Sequence, residues 1–199
     1  MSKKAGIFLT AAGAVLLCFA LLLLGKNKAE DRLAGRQAEK ALSALETSMV
    51  SPEAQSRPEA APAPLSPELP VKMLDGFEYV GTLELPSLDL KLPVMSEWDY
   101  DKLKLAPCRQ FGSSRTDDLV IAAHNYQSHF GRLKELLPGE PVLFTDMEGI
   151  VSRYSVERTE TLEPDALGTV LNSGCELVLY TCTPGGRERV AAFCRRETS

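Results

Sequence analysis

The apolar positions of this chain fall into three textures. From Ala5 to Gly25 they are nearly continuous, and the run AGIFLTAAGAVLLCFALLLLG carries no charge. As a helix it is about 31 Å long, enough to cross the hydrocarbon core of a bilayer. From Ala29 to Met49 the apolar residues recur at three- and four-residue steps, as Ala34, Ala38, Ala41, Leu42, Leu45 and Met49. That spacing predicts an amphipathic helix with a thin, alanine-rich stripe, either a stalk or a weak pairing surface for another chain. Beyond Val71 the pattern breaks into short runs. Phe77–Leu85, Asp89–Val94, Asp118–Ala123, Pro141–Thr145, Ile150–Thr161, Glu176–Thr181 and Arg189–Arg195 read as strands. Asp99–Leu105 and His129–Leu137 read as short helices, and Asp165–Leu171 as a further helical turn. Many short strands with few helices predict a mainly β domain, a closed barrel or a sandwich.

Between the second and third textures, Ser51 to Pro70 carries Pro52, Pro58, Pro62, Pro64, Pro67 and Pro70. Such a stretch holds neither a helix nor a sheet centre and predicts an extended spacer. The expected organisation is therefore a short N-terminus (1–4), a transmembrane anchor (5–25), a helical stalk (26–50), a Pro-rich linker (51–70) and a folded domain (71–199). A cleavable signal peptide would need a shorter apolar core and a small-x-small exit, whereas this run leaves through LLLLGKNK. Leu17 is too bulky to precede a lipoprotein cleavage point at Cys18. Lys3 and Lys4 on one flank, against Lys26, Lys28, Arg32 and Arg36 on the other, leave the orientation ambiguous by charge.

Composition narrows the function classes. The chain has 199 residues, 44% hydrophobic and 25% charged, which fits one ordinary domain plus accessory segments. Its formal net charge is -5 and no basic stripe stands out, so nucleic acid is not an expected partner. The five cysteines (Cys18, Cys108, Cys175, Cys182, Cys194) and two histidines (His124, His129) show no CxxC and no zinc spacing. The acidic residues form no EF-hand loop. No metal or cofactor is expected. For Cys108, Cys175 and Cys194 the expectation is that of small buried hydrophobes.

Cys182 is different by position. It ends the apolar strand Glu-Leu-Val-Leu-Tyr-Thr and precedes Thr-Pro-Gly-Gly. A cysteine there is held rigidly yet reaches solvent. Arg187 and Arg189 return toward it once the chain reverses, and a nearby cation stabilises a thiolate and later an oxyanion. His124 occupies the equivalent place after Leu-Val-Ile-Ala-Ala. If the two strand ends are neighbours, thiol, imidazole and guanidinium meet. Placement alone leaves this a weak signal, because geometry comes before chemistry.

Ordered motifs make the signal specific. Val178-Leu-Tyr-Thr-Cys182 resembles the sortase signature Thr-Leu-x-Thr-Cys, with Val178 in place of the first Thr. Ile121-Ala-Ala-His124-Asn125 is similar to the sortase histidine segment, Val80-Gly-Thr-Leu-Glu-Leu-Pro86 to the family's first strand, and Gly139-Glu-Pro-Val-Leu-Phe144 to the stretch after the histidine. The resemblance implies a closed barrel of about eight strands behind an N-terminal membrane helix. It also implies a cysteine transpeptidase with Cys182 as nucleophile, His124 as proton donor and Arg189 as oxyanion or motif-positioning residue. Arg187 remains a rival, since both arginines fall on one side of an extended segment.

Thr181 and Asn125 are candidate supporting residues. Asn125 either orients His124 or caps a turn, and Thr181 is otherwise a plain strand residue. His129 reads as structural or surface; Trp98 and Tyr100 read as packing or as groove lining. The implied partners are secreted surface proteins with a C-terminal sorting motif of the Leu-Pro-x-Thr-Gly type, together with a peptidoglycan precursor or another amine acceptor. The implied setting is the cell membrane, with the N-terminus inside and the catalytic domain outside. The chain lacks the Asp-Pro-aromatic lid of pilin polymerases: Ser96-Glu-Trp-Asp99 has no such Pro. The alternatives are an inactive membrane-tethered scaffold of the same fold and a thiol hydrolase that transfers acyl groups to water.

Overall fold

The computed structural model describes residues 3–49 and 66–197. The first two textures form one element, helix α1 (Lys3–Met49). Nothing interrupts it, because neither Gly13 nor Gly25 meets a neighbour and no proline precedes Pro52. Near the N-terminus α1 is long and apolar enough to cross a membrane, with a mean hydropathy of 2.8 over its most apolar window, none of it buried. The chain divides into two compact units at Leu33/Ala34. The stripe expected of a stalk belongs to the second unit: Ala34, Ala38 and Leu45 are buried there. Lys40 pairs with Asp75 at 3.1 Å and Glu46 with Lys91 at 2.6 Å.

The second unit is a β-barrel. Its strands are β1 (Lys72–Leu74), β2 (Phe77–Leu85), β3 (Leu90–Met95), β4 (Cys108–Phe111), β5 (Leu119–Ala122), β6 (Pro141–Asp146), β7 (Val151–Leu162), β8 (Leu177–Cys182) and β9 (Arg189–Arg196). The order β2-β3-β4-β5-β8-β9-β7-β6 closes through β2 pairing with β6, and β1 adds outside β2. Eight strands form the ring, as the barrel expectation has it. The pairs β3–β4 and β5–β8 are parallel; the others are antiparallel. Closure depends on Gly81: an added Cβ would lie 2.4 Å from the Thr145 carbonyl oxygen and 2.6 Å from the Phe144 ring. Only glycine lets β2 and β6 approach there.

Inward-facing residues alternate along each strand, as a half-buried sheet requires. Leu83, Leu85, Val94, Ile121, Phe144, Tyr154, Leu177 and Leu179 share one interior cluster. A second cluster on the outer face joins Leu45 of α1 to Tyr79, Met95, Cys108 and Ala122. A third joins Val120, Val170, Val178, Ala191 and Phe193.

Several expectations change. Each of the helices expected at Asp99–Leu105 and His129–Leu137 shrinks to a single 3-10 turn, Lys102–Lys104 and Leu133–Glu135, in segments held by turn hydrogen bonds. The third keeps only α2 (Leu167–Leu171). Strands β1 and β4 carried no sequence signal, being only three and four residues long. Packing also begins before Val71. Leu69 is buried, and the Arg115 guanidinium donates to the carbonyls of Ser66 and Glu68 while pairing with buried Asp146 at 2.6 Å. Most of the expected 51–70 spacer lies outside the described residues.

Candidate active site

Three neighbouring strands bring the candidate residues to one end of the barrel. β5 and β8 run parallel, with Ile121 beside Leu179 and Ala122 beside Tyr180. Continued two residues past the end of β5, that register brings His124 to the level of Cys182, the last residue of β8, on neighbouring chains about 5 Å apart. Two bonds fix the register at this end. The Ala123 amide donates to the Tyr180 carbonyl at 3.1 Å, and the buried Thr181 hydroxyl donates to the Ala123 carbonyl at 2.8 Å. Thr181, a candidate support, thus ties the strand of the cysteine to the strand of the histidine.

On the other side β9 runs antiparallel to β8, and Cys182 sits directly opposite Arg189. Directly opposed side chains share a face, with Cβ atoms about 5 Å apart. The face is the outer one: Val178 and Phe193, and Tyr180 and Ala191, are the preceding pairs, and all four belong to the outer cluster. Cys182 is exposed, while Cys108, Cys175 and Cys194 are buried, as expected of them. Burial pushes the thiols of Cys108 and Cys194 up to about 12, so neither ionises near neutrality.

The two arginines separate. Arg187 lies in the exposed bend after Cys182, not on the extended segment assumed for it, whereas Arg189 is the first residue of β9. Arg189 Nη1 donates to the carbonyls of Gly186 (3.1 Å) and Glu188 (3.0 Å), which holds the guanidinium beside that bend. Its Nε and Nη2 carry the remaining donors.

His124 begins a compact loop. Its carbonyl accepts from the Phe130 amide at 3.2 Å, and the Tyr126 carbonyl accepts from Gly131 at 2.8 Å and His129 at 3.0 Å. Gly131 is obligatory, since a Cβ would meet the carbonyls of Asn125 and Tyr126 at 2.7 Å. Asn125 is therefore part of this turn. The Tyr126 ring stacks on the His124 imidazole, 4.0 Å between centroids and 17° from parallel. His129 is fully buried and tilts against Tyr126 at 5.6 Å, a structural place.

A groove of about 180 Å³ opens beside Arg189, lined by Trp98, Gln110, Leu162, Glu163, Pro164, Ala166, Val170 and Tyr180. Trp98 and Gln110 also line an adjoining shelf with Arg109 and Phe111. Tyr180, two residues before Cys182 on the same face, donates to Gln110 Oε1 at 2.9 Å. Its hydroxyl is pushed up to about 12, chiefly by burial and against the pull of Arg189, so it stays a donor. Trp98 is a groove residue. Tyr100 instead stands exposed beneath the Lys104 ammonium, 5.4 Å from its ring centre. Sequence reading missed Tyr126, Gln110 and Tyr180. Of these only Tyr180 carried a signal, its two-residue spacing from Cys182. Among the described residues no cluster of histidine, cysteine or carboxylate could hold a metal ion.

The sortase-domain family profile matches residues 83–197. Among solved structures, sortase A from Corynebacterium diphtheriae superposes with a TM-score of 0.55 at 19% identity, over 62% of this chain and 62% of that one. Sortase C-3 from Streptococcus pneumoniae gives 0.55 at 21% identity, over 84% and 85% of the two chains. The pilus-related sortase C of Group B Streptococcus gives 0.52 at 20% identity, over 60% and 68%. This chain thus spans less than two thirds of the Corynebacterium protein, and at these identities the likeness is one of fold. No curated protein matches by sequence.

Proposed function

The chain belongs to the sortase family, whose members are cysteine transpeptidases, and we propose that it cleaves a sorting motif of the Leu-Pro-x-Thr-Gly type and passes the acyl group to an amine. The observation that carries this reading is the position of Cys182: exposed, cross-strand from Arg189, and level with His124 on the parallel neighbour. A scaffold would gain nothing from keeping a cysteine, a histidine and an arginine together at this end of the barrel.

The Cys182 thiol gives its proton to His124, and Sγ attacks the carbonyl carbon of the motif threonine. The oxyanion that forms is stabilised by the Arg189 guanidinium, whose charge acts strongly once peptide fills the groove and excludes water. The imidazolium of His124 then protonates the departing glycine amine, the C–N bond breaks, and a thioester remains. An amine nucleophile, from a peptidoglycan precursor or a second protein, attacks the thioester. His124 takes its proton and the Cys182 thiol is restored. The acyl donor is a secreted protein bearing the motif. An N-terminus inside and a barrel outside the membrane follow from these substrates rather than from the flanking charges.

The test is acyl transfer by the full chain in lipid nanodiscs, with a library of motif peptides and amine acceptors, beside Cys182→Ala. Transfer that disappears in the variant supports the enzyme. A folded wild type that forms no thioester with any motif returns the chain to the scaffold reading, and acyl transfer to water alone points to the hydrolase.

A further inference from the structure

Helix α1 does not merely precede the barrel; its second half lies against the element that carries His124. A glycine inside a helix weakens it relative to alanine, so a helical glycine needs another reason to be there. For Gly13 and Gly25 a Cβ would meet nothing. Gly35 is different. A Cβ there would stand 3.0 Å from Ser128 Cβ and 3.4 Å from Ser128 Oγ, so helix and loop already touch, and even a methyl group requires Ser128 to give by a few tenths of an ångström.

Ser128 lies at the centre of the His124 loop. On either side of it, Tyr126 stacks on His124 and His129 is buried against Tyr126, while the Phe130 amide closes the loop on the His124 carbonyl. A displacement of Ser128 therefore moves the stack in which the imidazole is held. The helix also meets the root of this loop: Leu45, fully buried, shares a cluster with Ala122, two residues before His124. Exposed ion pairs of Lys40 with Asp75 and Glu46 with Lys91 flank this packed face of the helix.

We propose that the Ala34–Leu45 part of α1 is a positioning element of the active site, and that the Gly35–Ser128 contact holds the His124 loop in register with Cys182. This rests on the sortase reading for its kinetic consequence but not for its structural one. A larger residue at position 35 pushes Ser128 away, loosens the His124–Tyr126 stack and misplaces the proton donor. Peptide binding, which uses the groove beside Arg189, is spared. Misplacement of a catalytic group by about 1 Å costs rate on the order of 10- to 100-fold.

The experiment uses the full chain in nanodiscs with 13C-labelled histidine. The protein has only two histidines, so each gives one assignable ring signal. Gly35→Leu is compared with Arg36→Leu, a change on the exposed neighbour of the same helix turn. The expected result is a shifted or broadened His124 signal in Gly35→Leu and a kcat lower by roughly 10- to 100-fold, with KM within about twofold. Arg36→Leu changes neither.

Gly35→Ala is the milder variant and decides the matter if Gly35→Leu does not fold. Its defect should be relieved by Ser128→Gly, which removes the atom the new Cβ meets. A folded Gly35 variant with an unaltered His124 signal overturns the proposal, as does a loss that Ser128→Gly leaves untouched. Because the ring signal needs no substrate, a wild type inactive toward every motif defeats the sortase reading while leaving this contact to be judged on its own.

Discussion

The Thr181 hydroxyl donates to the Ala123 carbonyl over 2.8 Å, joining the residue before Cys182 to the residue before His124. Both partners are buried, so the bond competes with no solvent. Thr181→Val keeps the shape and removes the donor. It should cost about 1–3 kcal/mol, the penalty for a buried acceptor left unpaired, read as a lower midpoint in urea denaturation. Acyl transfer should fall further than stability accounts for, because the two strand ends lose their shared register. Thr181→Ser should retain most of the rate.

Thiol accessibility separates the five cysteines. Cys18 and Cys182 are exposed, and Cys18 lies in the apolar part of α1. In nanodiscs a water-soluble maleimide should label Cys182 alone, and Cys108, Cys175 and Cys194 only after denaturation. Peptide mapping by mass spectrometry checks this. Native labelling at Cys108 would contradict the packing of β4.

The different strand positions of Arg187 and Arg189 make their proposed roles separable by mutation. Arg189→Ala should lower kcat by about 100- to 1,000-fold, the range for loss of an oxyanion donor. Arg189→Lys should restore little, since an ammonium lacks the planar fork. Arg187→Ala, in the exposed bend, should remain within about threefold of wild type in single-turnover acylation. The reverse pattern would exchange the two roles.

The barrel should weaken in alkali on account of its buried thiols and phenols. Burial pushes Cys108, Cys194, Tyr154 and Tyr180 up to about 12, from ordinary values of 9.0 for the thiols and 10.0 for the phenols. Between those ordinary values and about 12 the unfolded chain gives up protons that the folded one keeps. The folded state then binds more protons, and stability falls as pH rises. Their contribution is intact below about pH 9 and lost progressively toward pH 12. Urea midpoints measured from pH 7 to pH 11 should be flat at first and then decline, less steeply in Cys108→Ala.

Arg115 neutralises one buried carboxylate at the end of β6. It pairs with Asp146, 1% exposed, and reaches Glu148 at 2.7 Å. Asp146 also accepts the amides of Glu148 and Ile150 in the β6–β7 turn. Arg115→Ala strands that carboxylate and should cost about 3–5 kcal/mol. Adding Asp146→Ala should cost less than the sum of the two single changes, which a double-mutant cycle in urea measures.

Much of this was legible in the chain. The uncharged run from Ala5 to Gly25 fixes a helix long enough to cross a membrane, because length and composition suffice for that. Alternation and turn residues give seven of the nine strands, and the end positions of Cys182 and His124 follow from where their apolar runs stop. The short β4 was not legible: Cys-Arg-Gln-Phe has no alternation, and its pairing comes from Ala122 and Ile121 across the sheet.

What only the tertiary structure decided is adjacency. That β8 lies parallel to β5 and antiparallel to β9 is a matter of strand order, which local pattern does not encode, and it brings Cys182, Arg189 and the chain leading to His124 to the same end of three neighbouring strands. Arg189 lies directly opposite Cys182, and Arg187 falls in a bend where an extended segment was expected. The stripe of Ala34, Ala38 and Leu45 shows the same division. Periodicity determined that the helix has an apolar face, but its partners come from separate parts of the barrel: Leu45 packs with Tyr79, Met95, Cys108 and Ala122, and Ala38 joins the interior cluster, groupings that only the folded chain brings together.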